Sequence, residues 1–131
     1  MKLDHDCVRG VLLAVEELSG YTEHHLGVFK RLSSNDLMKS EFLSGYSQAD
    51  VLYSVSKLDE AGYLNCSSFA MLGKTELIVS DLTFFGHEYL DSIKNDTVWK
   101  KVKTSMEKAG GSLAFEAIKT LGMKYLIDLI S

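Results

Sequence analysis

The sequence predicts an α+β protein that is mostly helical. Of its 131 residues, 46% are hydrophobic and 24% are charged, as in folded globular domains. Proline is absent and glycine occurs ten times, which is typical of a helix-rich chain whose turns are made with glycine. Residues 65–81 hold two strand-like stretches around a short turn. A chain of this length has room for one domain and an appended helix.

The first part of the chain predicts two helices and a short strand. Asp4 is a suitable N-cap for a helix whose valines and leucines recur at helical spacing. Residues 25–32 are a candidate strand. Ser34 or Asn35 then caps a short helix that we expect to continue through Leu43.

The middle of the chain predicts a longer helix, a hairpin and a fourth helix. Ser47 caps the longer helix, and Gly62 ends it with a positive φ angle. The hairpin follows over residues 65–81. Thr83 caps the fourth helix, in which the residues expected to be buried are Phe85, Tyr89, Leu90 and Ile93.

The C-terminal third predicts two more helices around a hinge. Residues 97–109 form an amphipathic helix in which Trp99 is expected to pack rather than to stack on bases. Gly110 and Gly111 form the hinge, and Ser112 is a candidate cap for the last helix. We therefore expect a domain over residues 1–96 and a helical extension over residues 97–131, with residues 112–130 as a dimerisation helix.

Two motifs make the fold prediction more specific. KLDEAGYL at residues 57–64 resembles the end of a winged-helix recognition helix, and DLTFFGHEYL at residues 81–90 resembles the segment that follows the wing. Together with MKLDHDCVRGVLLAVEE at residues 1–17 and WKKVK at residues 99–103, they resemble a bacterial and phage family, the domain of unknown function 2513 (DUF2513). The resemblance implies a winged helix-turn-helix and a phage or prophage setting, and it carries no established activity.

A winged helix that reads DNA needs polar side chains for base edges and cations for phosphates. With Val51, Leu52, Val55 and Leu58 facing inward, the helix would expose polar residues between them. Residues 46–93 carry only 2 basic groups against 7 acidic ones, whereas residues 94–131 carry 7 against 4. The alternative is that the lysines are solvated surface residues. The candidate DNA-binding residues are Gln48, Tyr53, Ser54, Lys57, Lys74, Lys94, Lys100, Lys101 and Lys103.

The last helix is apolar around most of its circumference and therefore needs burial on more than one side. It either folds back onto the domain or pairs with another chain. We favour a homodimer over a membrane-surface helix, because basic residues do not dominate its polar face. The candidate dimerisation residues are Phe115, Ile118, Leu121, Tyr125, Leu126 and Leu129.

Catalysis is not expected. The four histidines lack metal-ligand spacing, and the sequence has none of the zinc, nucleophile-elbow or phosphate-loop motifs. Two cysteines are too few for a disulfide framework, and the absence of an 18-residue apolar run argues against a membrane span. We therefore expect a cytoplasmic protein with no cofactor and no metal. It is either a small transcriptional regulator that binds double-stranded DNA or a protein–protein interaction module with an acidic face.

Overall fold

The computed structural model describes the backbone of residues 1–131 and every side chain except those of Phe69 and Met71. It is α+β and 57% helical, which confirms the predicted class. The helices are α1 (His5–Leu18), α2 (Ser34–Leu37), α3 (Gln48–Glu60), α4 (Phe84–Ile93), α5 (Asp96–Lys108) and α6 (Phe115–Ile130). The strands are β1 (Tyr21–Thr22), β2 (His25–Phe29), β3 (Leu64–Met71) and β4 (Lys74–Leu82).

The chain divides into two compact units, residues 1–87 and residues 88–131. The division falls inside α4, ahead of the boundary at residue 96 that the sequence suggests. Within the described residues, every helix is too short or too polar to cross a membrane.

The core of the first unit forms around α1. The carboxylate of Asp4 accepts a hydrogen bond from the backbone N–H of Cys7 at 3.1 Å, which confirms the predicted cap. The valines and leucines from Val8 to Val15 are buried, and α1 packs against α2, α3 and β4. A Cβ atom on Gly10 would lie 2.7 Å from the carbonyl oxygen of Phe42, so the glycine permits close packing at that point.

The cap of α2 differs from the expected one. Ser33, rather than Ser34 or Asn35, is the N-cap, and its hydroxyl accepts a hydrogen bond from the backbone N–H of Asp36 at 3.2 Å. The Asp36 carboxylate accepts the Ser33 backbone N–H at 2.9 Å in return, which completes a capping box. The reciprocal pair of hydrogen bonds explains why Ser33 is preferred over its neighbours.

The expectation that this helix continues through Leu43 is wrong. The α2 helix ends at Leu37, and a separate 3-10 turn spans Glu41–Leu43. The hydroxyl of Ser40 accepts a hydrogen bond from the backbone N–H of Phe42 at 3.3 Å, so this serine begins a new turn instead of continuing the old one.

The longer helix and the hairpin have the predicted form. Ser47 caps α3, and Gly62 has a φ of +78° beyond its end. Strands β3 and β4 pair antiparallel around a two-residue turn at Leu72 and Gly73. Leu32 adds a one-residue bridge to Val79 in β4, with both backbone hydrogen bonds present at 2.8–2.9 Å. The chain therefore runs from α1 through a short strand segment, α2 and α3 into a hairpin.

The second unit combines the end of α4 with α5 and α6. Trp99 is 4% exposed, as expected for a packing residue, and Tyr89 is fully buried. Gly110 and Gly111 both have a φ of +101°, and the Gly111 N–H donates to the Met106 carbonyl at 2.8 Å to close the turn after α5. The prediction that Ser112 caps the last helix is wrong, because α6 begins only at Phe115 and Ala114 occupies its N-cap position.

One predicted core residue of α4 is on the surface. Phe85 is 62% exposed, although Tyr89, Leu90 and Ile93 are buried as expected. The buried face of the helix runs from Gly86 through the other three positions, and Phe85 lies about a quarter turn away from it.

Candidate nucleic-acid interface

The two sequence motifs meet in the first unit at a junction between α3 and α4. The Thr83 hydroxyl donates to the Gly62 carbonyl at 2.6 Å and accepts the Gly86 N–H at 3.0 Å. The Thr83 N–H donates to the Tyr63 carbonyl at 3.1 Å. A Cβ atom on Gly86 would collide with that same carbonyl oxygen. Because β3 begins at Leu64, the junction fixes the start of the hairpin relative to the end of α3.

Gln48 connects α3 with α2. Its side-chain amide donates to the Ser34 hydroxyl at 3.2 Å and to the Asn35 side-chain oxygen at 3.1 Å. Both amide protons are therefore directed at the neighbouring helix. The residue predicted to read bases stabilises the α2–α3 pair in this structure.

Lys57 is on the outer surface of α3, where the sequence places it, and it is paired. Its ammonium group lies 3.0 Å from the Glu60 carboxylate and 5.4 Å from the centre of the Tyr53 ring. The hydrogen bond to Glu60 raises the pKa of Lys57. A phosphate that approaches this lysine competes with a carboxylate on the same helix.

The predicted positions of Leu52 and Ser54 are reversed. Ser54 is only 2% exposed and forms a side-chain hydrogen bond with Cys7 of α1, so it is not available to DNA. Leu52, expected inside, is 38% exposed. The buried face follows Val51, Ser54, Val55 and Leu58, which is the spacing of one helical face. Helical spacing therefore favours burial of Ser54, whereas residue polarity favours burial of Leu52.

Lys74 has the predicted place at the tip of the hairpin. It is the first residue of β4 and is exposed, directly after the turn at Leu72 and Gly73. Leu72 is 95% exposed and has a φ of +53°. The tip therefore presents one apolar side chain and one cation.

A basic cleft that the sequence does not predict lies beside α2. Lys30, Arg31 and Lys39 line a cleft of about 400 Å³ together with Leu18, Leu32 and Asp36. Hydrogen bonds from Ser33, and then the charge of Lys39, lower the pKa of Asp36, so its carboxylate is ionised. Three cations against one carboxylate leave the cleft positive. In the sequence, the cleft is indicated by the two consecutive basic residues Lys30 and Arg31 just before α2.

The remaining candidate lysines belong to the second unit. Lys94, Lys100 and Lys101 are exposed, and Lys103 is half-buried on α5. Residues 88–131 carry 7 lysines against 6 acidic residues, whereas residues 1–87 carry 7 basic residues against 12 acidic ones. The first unit is therefore acidic overall, and its cleft and hairpin tip are local exceptions.

The six candidate dimerisation residues do not share an exposed face. Ile118 is fully buried, so its assignment to an interface between chains is wrong. The Phe115 ring lies 5.2 Å from the Tyr89 ring, and the Tyr125 hydroxyl lies 2.7 Å from the Ser105 hydroxyl. Leu121 and Leu126 are half-buried, and Leu129 is 45% exposed.

The titratable groups of the first unit include two shielded thiols. Cys7 and Cys66 are both free. Burial raises the pKa of Cys7, and burial with a smaller effect of Asp59 raises the pKa of Cys66 to about 12. Both therefore stay protonated at neutral pH. Among the residues with described side chains, His, Cys, Asp and Glu form no group of three that could hold a metal ion.

The fold and surface define a small α+β protein with a helix pair, a hairpin and a local basic cleft. The chain belongs to the DUF2513 family, described as "Hypothetical protein", whose model matches residues 2–112. This confirms the family resemblance. An "Uncharacterized protein" of Haemophilus influenzae is 29% identical over 131 residues and is covered in full, as is this chain. No solved structure matches the chain significantly.

Proposed function

We propose that residues 1–87 form a winged helix-turn-helix that binds double-stranded DNA. In this proposal the protein is a cytoplasmic transcriptional regulator of phage or prophage type, acts as a homodimer and has no catalytic activity. The order α1, strand segment, α2, α3 and hairpin supports the winged-helix assignment. In it, α3 is the recognition helix and β3–β4 is the wing.

The observation that carries the proposal is the placement of cations before and after α3. Lys30, Arg31 and Lys39 form the basic cleft beside α2, and Lys74 is at the tip of the wing. Phosphate contacts supply most of the affinity of DNA-binding proteins, and they also fix the recognition helix in its groove. The cleft thus adds cations to Lys57 of α3, which is paired with Glu60.

The surface of α3 includes a large apolar side chain as well as polar ones. Leu52 is exposed, Tyr53 is half-buried, and Gln48 is held by α2. An apolar side chain in the major groove contacts the methyl group of thymine, and a tyrosine hydroxyl can hydrogen-bond a base edge. We therefore expect modest sequence specificity with a preference for A·T pairs.

A fluorescence-anisotropy titration with random duplex DNA at several salt concentrations tests this function. The wild-type protein is expected to bind at low salt and to lose affinity as salt rises. Changing Lys30 and Arg31 together to Glu should weaken binding and lower the salt slope by about 1 for each contact removed. Lys2→Glu, an exposed lysine outside the cleft, is the control. Failure to bind DNA at low salt contradicts the proposal.

A second candidate function is a protein-interaction module. Exposed Leu52 on α3 and exposed Phe42 in the 3-10 turn favour it, as does the acidic charge of the first unit. A photo-crosslinker at position 52 should then capture a basic partner from host lysate. The same crosslinker at exposed position 23 is the control, and equal capture from both positions contradicts this function.

A further inference from the structure

The basic cleft of the first unit has apolar walls as well as cations. The walls include Leu18, the last residue of α1, and Leu32, which is only 6% exposed. The volume of about 400 Å³ lies within the range of small-molecule sites in proteins. Contact with phosphates alone requires cations and does not require leucines. The cleft therefore fits a ligand that carries an apolar group beside its negative charge.

The backbone holds the two adjacent cations of the cleft in place. The Lys30 N–H donates to the Gly20 carbonyl at 2.8 Å, and Leu32 exchanges two backbone hydrogen bonds with Val79 at 2.8–2.9 Å. Arg31 lies between these two anchored residues. Because the segment is ordered before a ligand arrives, binding loses less conformational entropy there.

The carboxylate of Asp36 gives the cleft a hydrogen-bond acceptor. Its Oδ2 atom accepts the Ser33 N–H at 2.9 Å and the Ser33 hydroxyl at 3.0 Å. Its Oδ1 atom lies 3.8 Å from Nζ of Lys39, and the Lys39 side chain is 79% exposed. An ion pair this exposed is weak, so a phosphate can compete for Lys39. The carboxylate oxygens can also accept a hydrogen bond from a hydroxyl group of a ligand.

A nucleoside monophosphate matches all three kinds of group. Its phosphate suits the three cations, and its ribose hydroxyls are donors for Asp36. Its base is a flat ring that can lie against Leu18 and Leu32. Duplex DNA also offers phosphates, but its bases lie inside the stack and do not reach the walls of a protein cleft. We propose that the basic cleft binds a free nucleoside monophosphate, with the phosphate on the cations and the base against the two leucines.

Isothermal titration calorimetry of the full chain, without DNA and at low salt, tests the site. The probes are adenosine monophosphate, adenosine and inorganic phosphate. The monophosphate is expected to bind at least tenfold more tightly than either of the other two, because only it uses the cations and the apolar walls together. Phosphate that binds as tightly would reduce the site to a place for simple anions and overturn the proposal. Adenosine that binds as tightly would exclude a role for the cations, and a monophosphate that does not bind also overturns the proposal.

Two variants locate the binding in the cleft. Arg31→Gln removes a cation from an exposed position and should weaken binding of the monophosphate at least tenfold. Lys2→Gln, at an exposed lysine outside the cleft, is its control. Wild-type affinity in Arg31→Gln would overturn the site.

The second variant, Leu18→Ala, removes part of an apolar wall and should weaken binding severalfold with an unchanged circular dichroism spectrum. Its control is Leu26→Ala, because Leu26 is 91% exposed and lies outside the cleft. Equal affinities in the two leucine variants would contradict contact between the base and the wall.

The outcomes separate this inference from the proposed function, which uses the same cations but has its own titration with duplex DNA. A chain that binds duplex DNA and not the monophosphate overturns the inference and leaves the proposed function in place. A chain that binds the monophosphate and not DNA supports the inference and overturns the proposed function.

Discussion

The α3–α4 junction and helix α6 both pack a glycine against a backbone carbonyl, but they differ in what surrounds that contact. At the junction, Gly86 lies on the Tyr63 carbonyl, and Thr83 adds hydrogen bonds to the same segment. In α6, Gly122 lies on the Ser92 carbonyl, while Met123 next to it is exposed.

The difference shows two uses of close helix packing. The junction satisfies its own polar groups and fixes the hairpin. The Gly122 contact holds one face of α6 and leaves apolar side chains of that helix exposed. Substitutions at both contacts measure how much stability each one provides.

The largest effect is expected from Gly86→Ala. The added methyl group meets the Tyr63 carbonyl, and a backbone atom cannot move away as a flexible side chain can. We expect the free energy of unfolding to fall by about 3 kcal/mol or more. Urea unfolding of the full chain measures the loss. Gly20→Ala, where the methyl group meets nothing within 4 Å, is the control.

Gly122→Ala should have a smaller effect of about 2 kcal/mol. The methyl group meets the Ser92 carbonyl, but alanine favours the middle of a helix by about 1 kcal/mol over glycine and offsets part of the clash. Thermal unfolding followed by circular dichroism checks this value, with exposed Thr120→Ala as the control. A more stable variant would show that the α6 contact is not tight.

Thr83→Val should cost about 1 kcal/mol, because it removes the cap of α4 and the hydrogen bond to Gly62 while it keeps the shape of the side chain. The comparison is Thr97→Val, an exposed threonine in the first turn of α5. Equal losses in urea unfolding of these two variants would contradict a special role for Thr83.

The smallest effect concerns the pH dependence of the first unit. Burial lowers the pKa of His5 below 6.5, although Asp4 and Asp6 oppose the shift. The unfolded chain therefore binds a proton more readily, and the free energy of unfolding should fall as the pH drops from 6.5 through the folded-state pKa.

His5→Gln should flatten this dependence, and exposed His24→Gln should not. Urea unfolding between pH 5 and pH 7.5 provides the comparison. An unchanged slope in His5→Gln would assign the pH dependence to another group.

The sequence predicts the junction well because its signals are local. A serine cap at Ser47, a positive-φ glycine at Gly62 and a threonine cap at Thr83 each depend on a few neighbouring residues. The same local rules give the hairpin and the helical class. The end of α2 was missed because Ser40 competes for a backbone N–H that the helix would otherwise use.

The candidate site is harder to predict because exposure depends on packing. Ser54 and Leu52 differ by about half a turn. Helical spacing favours burial of Ser54 and polarity favours burial of Leu52, and in the structure Ser54 is the buried one. The basic cleft likewise combines Lys39 with Lys30 and Arg31, whose shared surface the sequence alone does not reveal.

The sequence by itself therefore determined the helix-rich class, the caps of α1, α3 and α4, the hairpin and the family, but not strand β1 or the caps of α2 and α6. Those features follow from short-range hydrogen bonding and backbone preferences. The tertiary structure decided which faces remain exposed. In α6 nearly every face is apolar, so periodicity cannot choose among them. The contacts of Ile118 and Gly122 with their own unit bury one face and leave Met123, Ile127 and Ile130 at the surface.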